Sequence, residues 1–176
     1  MKSKIITVFG SSQIRSGDVE YVRVFETGKL LAEAGFVVCN GGYAGAMEAS
    51  ARGAKEAGGK TIGVTTREFK KSHCNPWIDE EKIAKSWRER LFQLIELGQG
   101  YLVCSGGTGT LVELSCVWEM ARKSLMAVKP IVILGRTWRK IVSSLNQLPE
   151  IGKDDCLLFA KSPREAVEIF RRRLQP

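Results

Sequence analysis

One histidine in 176 residues, and five cysteines with no CxxC spacing, remove several kinds of chemistry at the outset. His73 lies in a polar stretch with no acidic partner close by. A Ser-His-Asp or Cys-His mechanism is therefore excluded unless His73 itself is the base, and a His/Cys zinc site is excluded with it. An odd number of thiols argues against a disulfide framework. Cys39 and Cys104 fall at the ends of strand-like runs, where thiols act as small core residues. No apolar run approaches the roughly 18 residues of a membrane span. Met1-Lys-Ser-Lys leads straight into the strand-like Ile5–Phe9 with no secretory pattern, so the expected setting is the cytoplasm. Repeats, low-complexity tracts and linkers are also missing, and 176 residues predict one domain, 1–176, with a core of its own.

Charge is present but diffuse. The net +8 has its densest run at Arg171-Arg-Arg173, the end of an expected C-terminal helix, where cations suit the helix dipole and solvent. No RNA-binding motif or basic-aromatic stripe accompanies it, so nucleic acid is disfavoured as a partner. Steering a phosphorylated small molecule is the better use.

The most informative stretch is Tyr101-Leu-Val-Cys-Ser-Gly-Gly-Thr-Gly-Thr-Leu-Val-Glu-Leu114. A buried strand, Tyr101 to Cys104, runs into a glycine-rich turn, and a helical pattern opens at Thr110. Glycine permits close backbone approach, and the unpaired N–H groups of a first helical turn attract anions. Gly106, Gly107, Thr108, Gly109 and Thr110 are the expected phosphate cradle. Glu113, one turn further on, faces what the cradle holds.

Along the chain, strands are expected at Ile5–Phe9, Phe36–Cys39, Thr61–Val64, Tyr101–Cys104, Ile131–Leu134 and Leu157–Phe159. Helices are expected from about Val19 to Ala34, capped by Asp18 with Val22, Phe25, Leu30 and Leu31 facing the core, and from Ala46 to about Ala57. Further helices run from Glu80 or Ser86 to Leu97, on to Arg122, over Trp138–Leu148, and after Ser162-Pro163. Between Thr65 and Asp79 the pattern dissolves into a polar loop, expected to be mobile. Apolar strands alternating with helices predict a Rossmann-like, doubly wound parallel α/β sheet. Ligands of such sheets bind at the strands' carboxyl ends, where the turns at Gly10, Gly41 and Gly106 converge. Neither glycine cluster has Walker A or GxGxxG spacing, which disfavours a plain NAD enzyme.

These motifs resemble those of the LOG family, the "lysine decarboxylase-like" Rossmann proteins whose known members are cytokinin riboside 5′-monophosphate phosphoribohydrolases. The family's PGGxGTxxE is matched by Ser105 to Glu113 with only the leading proline replaced. Its GGGxxGLMG is matched by Asn40 to Glu48, departing at Asn40, Ala46 and Glu48. Its SMHERK is met loosely by Ser86 to Leu91, retaining Glu89 and Arg90. The resemblance implies hydrolysis of a nucleoside 5′-monophosphate (AMP or a cytokinin riboside monophosphate) to base and ribose 5-phosphate. Glu113 would stabilise positive charge on the ribose or activate water, and Arg90 would orient Glu113 and contact substrate. Gly10, Ser11 and Ser12, with Gly41, Gly42 and Gly45, would shape the remainder of the pocket. No metal and no cofactor are expected, and lysine decarboxylation is rejected because no pyridoxal-phosphate lysine stands out.

The resemblance also implies a homo-oligomer, at least a dimer, and the apolar helix around Val117, Trp118 and Met120 could cover an interface. Trp87 and Trp118 could stack on a base, though core packing is the expected use of each. Related proteins include molybdenum-cofactor carriers. The departures at Asn40 and Glu48 and the loose Arg90 segment therefore support a second reading, a non-catalytic carrier of a phosphorylated cofactor.

Overall fold

Strand β1 (Ile5–Phe9) alternates its side chains between two cores. Ile6 and Val8 face one helical layer, while Phe9 faces the other. This period of two, repeated across a sheet with both faces covered, organises the molecule. The computed structural model describes residues 3–70, 73–151 and 155–174. Beyond β1 the strands are β2 (Val37–Asn40), β3 (Thr61–Thr66), β4 (Glu80–Ala84), β5 (Gly100–Val103), β6 (Ile131–Leu134) and β7 (Leu157–Ala160). They form one parallel sheet of seven strands in the order β4-β3-β2-β1-β5-β6-β7. The order reverses between β1 and β5, so the loops leaving those two strands part and open a crevice. This is the expected Rossmann-like architecture.

The helices are α1 (Val19–Glu33), α2 (Ala46–Glu56), α3 (Trp87–Leu97), α4 (Thr108–Arg122), α5 (Thr137–Leu145) and α6 (Pro163–Leu174). One core joins α1, α2 and α6 to the sheet, and the other joins α3, α4 and α5 to it. Helix α1 ends at Gly35, whose φ of 82° continues into a reversed turn. There the Gly35 and Phe36 amides donate to Ala32 and Leu31, the pattern of a Schellman cap. None of the described helices is long and apolar enough to cross a membrane.

Several local expectations are corrected. Of the two starts expected for α3 the helix takes the later one, at Ser86, and residues 80–84 are an edge strand. Its Glu80, Glu81 and Ile83 are exposed, so the apolar period that marks a buried strand is absent, while its charges keep the open edge from pairing with other chains. On α1 the expected Leu31 is buried and Phe25 and Leu30 pack against the core, joined by Tyr21 and Val24, whereas Val22 is 55% exposed. Asp18 does not cap the first-turn amides of α1, because its carboxylate accepts from the Arg15 amide at 2.7 Å. Trp118 and Val117 lie in the core, so they are not available to cover a second subunit. The loop after β3 is tied down at its far end: the Asn75 amide donates to the Gly42 carbonyl at 2.8 Å and its side-chain amide to the Tyr43 carbonyl at 2.9 Å.

Close contact of α1 with α2 requires two glycines. A Cβ added at Gly53 would stand 2.0 Å from the Phe25 carbonyl oxygen, and one at Gly28 would stand 2.2 Å from that of Ser50. Alanine normally improves a helix by about 0.5–1 kcal/mol over glycine. Here the overlap with backbone should dominate, and Gly53→Ala is expected to destabilise by about 1–3 kcal/mol or more. Urea denaturation measures this directly, and an unchanged or higher midpoint would contradict the close crossing.

Candidate functional site

The turn after β5 and the turn after β1 are bonded to each other. The Ser11 amide donates to the Ser105 carbonyl at 2.9 Å, and the Ala46 amide donates to the Ser11 carbonyl at 2.8 Å. Three glycine turns thereby meet at the crevice. Helix α4 begins at Thr108, two residues earlier than its apolar pattern suggests, with Gly107 at its N-cap and no side chain capping it. The first-turn amides of Thr108, Gly109 and Thr110 cannot be satisfied within the helix. Thr108 and Gly109 are exposed, so the positive end of α4 opens onto a cavity of about 350 Å³.

Gly10, Ser11, Ser12, Gly107, Thr108, Gly109, Thr110, Arg90 and Glu113 all line this cavity. Gly41, Gly42, Gly45 and Gly106 do not, and they act behind it. The Gly41 carbonyl accepts from Arg90, the Gly42 carbonyl accepts from Asn75, and Gly106 leaves room for the Thr110 hydroxyl, which a Cβ there would meet at 2.2 Å. Gly45, with φ of 70°, turns the chain into α2 beneath Ser11 and Ser12.

Arg90 is placed by the start of α3. Ser86 is the N-cap and its hydroxyl accepts from the Glu89 amide, while the Glu89 carboxylate accepts from the Lys85 amide. This variant of the capping box assigns Glu89 to the helix start and turns the next residue inward. The Arg90 side chain is 6% exposed. Its Nε donates to the Val64 carbonyl at 2.7 Å and one terminal nitrogen to the Gly41 carbonyl at 3.0 Å. The guanidinium also lies over the rings of Tyr43 and Phe69, 5.3 and 5.7 Å from their centroids. It thus joins the loops after β2 and β3 into one wall.

Glu113 has no hydrogen-bond partner among the described residues and no direct ion pair with Arg90; the two meet across the cavity through their fields. Burial pushes its carboxyl up to about 7, against the pull of the Arg90 charge. Burial likewise works against the Arg90 cation, and the Glu113 carboxylate offsets part of that. The arrangement offers an acid that changes charge near neutrality beside a fixed cation and a row of free amides.

Gln13, Tyr43, Met47, Phe69 and Leu91 also line the cavity and were not anticipated. Tyr43, held between Gly42 and Gly45, was the most legible of them. Trp87 lies at the rim and is 42% exposed, whereas Trp118 is in the core. Trp87 is therefore the tryptophan available for stacking. Two motif departures have structural explanations. Asn40 is buried, donating to the Met47 carbonyl at 2.9 Å and accepting from the Gly42 amide at 2.8 Å. Glu48 accepts from the Tyr21 hydroxyl at 3.1 Å, away from the cavity. No group of histidine, cysteine or acidic residues that could hold a metal ion occurs among the described residues.

Fold and cavity together define a Rossmann-like protein with a cavity at its topological switch point, onto which the uncapped start of α4 opens. The family model "SLOG cluster4 family" matches residues 3–167, and the chain belongs to that family. An uncharacterized protein of Archaeoglobus fulgidus is 32% identical over 136 residues, 77% of this chain and 87% of its own length. Among solved structures, the molybdenum cofactor binding protein of the phototrophic bacterium Rippkaea orientalis superposes with a TM-score of 0.80 at 23% identity, covering 99% of each chain. The molybdenum cofactor carrier protein of Chlamydomonas reinhardtii gives 0.76 at 25% identity, covering 99% of this chain and 100% of its own. A narrower place among the phosphoribohydrolases does not follow from these matches.

The raised Glu113 carboxyl has a consequence for stability. Its folded-state affinity for a proton exceeds the unfolded one, so stability falls as pH rises from the ordinary carboxylate range to about 7. Glu113→Gln removes the ionised form. The variant should melt roughly 2–6 °C above wild type at pH 8, with no gain at pH 4.5. A variant that melts lower at pH 8 would mean that the Arg90 field outweighs burial.

Proposed function

We propose that the protein binds and carries a phosphorylated heterocyclic cofactor, with the molybdenum cofactor as the specific candidate. The observation that carries this reading is the composition of the cavity. Free amides of α4, the rings of Tyr43, Phe69 and Trp87, and a single unpartnered carboxyl line it together. The organic part of the molybdenum cofactor is a reduced pterin bearing a phosphate, and each of its features has a counterpart here. The phosphate suits the amides of Thr108 to Thr110 and the hydroxyls of Ser11 and Ser12. The flat ring suits the aromatic walls. Glu113 suits the ring nitrogens, since near neutral pH it can donate as the acid or accept as the anion. The structural likeness to a cofactor-binding protein and a cofactor carrier supports the same reading.

Hydrolysis of a nucleoside 5′-monophosphate is the second reading, and Glu113 is the observation that favours it. A carboxyl raised to about 7 is in the range useful for proton transfer. It would act alone, however, because Arg90 is bonded to two backbone carbonyls and makes no direct contact with it.

Gly109→Asp tests the phosphate site that both readings share, while bound pterin and base release separate them. A Cβ at Gly109 meets nothing within 4 Å, and an acid in the first turn suits the helix dipole while repelling a phosphate. Protein purified from a host that makes the cofactor should contain equimolar pterin, measured by fluorescence after oxidation, and equimolar molybdenum. Gly109→Asp should lower both at least tenfold, and wild type should release no base from AMP or its N6-substituted analogues. Base release that is lost in Glu113→Gln, from protein without pterin, would replace the carrier reading with the hydrolytic one.

A further inference from the structure

Around the turn after β6, a second cavity of about 630 Å³ opens on the same edge of the sheet, lined by Arg23, Arg136, Arg139 and Lys161. One carboxylate, Glu20, shares the lining, and it is bonded to Arg23 at 2.6 Å. Arg136, Arg139 and Lys161 have no acidic partner among the described residues, so three cations remain uncompensated around one concavity. Like charges gathered in this way repel one another and are relieved by an anion. Arg139 is also steadied, its guanidinium lying 4.7 Å from the centroid of the Phe159 ring.

The local backbone suits the same ligand. Gly135, with φ of 98°, turns β6 into the nine-residue helix α5, whose N-cap Arg136 provides no side-chain cap. Amides of the first turn of α5 are left without partners inside the helix. The Ser105 and Thr137 hydroxyls stand 3.4 Å apart on the lining. Ser105 is the residue at which the glycine motif departs from a leading proline, so this chain places a hydroxyl here where the motif has none. The Ser105 turn separates the second cavity from the first.

We propose that this cavity is a second, independent site for the oligophosphate group of a small molecule, either free pyrophosphate or a nucleoside diphosphate. Arg136, Arg139 and Lys161 neutralise the phosphates, and the hydroxyls of Ser105 and Thr137 donate to them. The site does not depend on the identity of the ligand in the first cavity.

Pyrophosphate and ADP are titrated separately into wild type, into Gly109→Asp, and into an Arg136→Ala/Lys161→Ala variant whose two substituted residues are exposed. Calorimetry gives the affinity, and amide NMR gives the place. In Gly109→Asp, which removes the phosphate site of the first cavity, pyrophosphate should still bind and shift the Thr137 and Trp138 amides, and in the double variant those shifts should need at least tenfold more pyrophosphate. Tighter binding of ADP than of pyrophosphate would make the ligand a nucleotide, and equal binding would make it the phosphate group alone. Absence of these amide shifts, their loss in Gly109→Asp, or their persistence at wild-type affinity in the double variant overturns the proposal. A single-stranded oligonucleotide that shifts these amides when pyrophosphate does not would also overturn it.

Discussion

The first amides of an α-helix have no carbonyl within the helix to receive them, and here those of α4 are presented, uncapped, to a cavity. Most features of the site follow from that constraint. The unpaired amides and helix dipole create a preference for negative charge, and the reversal of strand order between β1 and β5 creates the space in which an anion can reach them. The Ser11–Ser105 bond keeps the two neighbouring turns at a fixed separation.

The opposite wall is built from longer-range contacts. Arg90 reaches from α3 to carbonyls after β2 and within β3, and it presents a cationic face to Tyr43 and Phe69. A guanidinium placed this way is a structural clamp as well as a charge, and its field reaches Glu113 without consuming the carboxylate in an ion pair. Burial, only partly offset by that field, leaves the carboxyl poised near neutrality in a cavity with aromatic walls. That is a setting in which a heterocycle can be held by hydrogen bonds whose direction follows the proton.

Sequence reasoning recovered the parts of this design that are local. The strand, glycine turn and helix from Tyr101 to Glu113 span thirteen consecutive positions, and that spacing alone puts Glu113 about one turn beyond the glycine turn, where it lines the cavity. Arg90 was reached through a loose motif, and its clamp role was hidden because its bonding partners lie 26 and 49 positions away. Phe69 and Met47 were missed for the same reason: nothing near them in the chain indicates that they meet. For α3 the later of the two open starts, at Ser86, is right, and residues 80–84 gave no strand signal because an edge strand needs no apolar alternation; on α1, Phe25, Leu30 and Leu31 pack inward as expected and Val22 does not. Of the two functional readings open from the sequence, the structural matches favour the carrier over the hydrolase.

In a carrier of this kind the α4 amides receive a phosphate while the aromatic wall receives a ring. The most direct test of that arrangement is a crystal structure of the protein purified with its bound cofactor, with molybdenum located by anomalous scattering. The account predicts a phosphate within hydrogen-bond distance of the Thr108 to Thr110 amides and a heterocycle against Tyr43, Phe69 or Trp87, with the metal site in or at the mouth of that cavity. Ligand density elsewhere on the surface, with those amides bonded only to water, would contradict it.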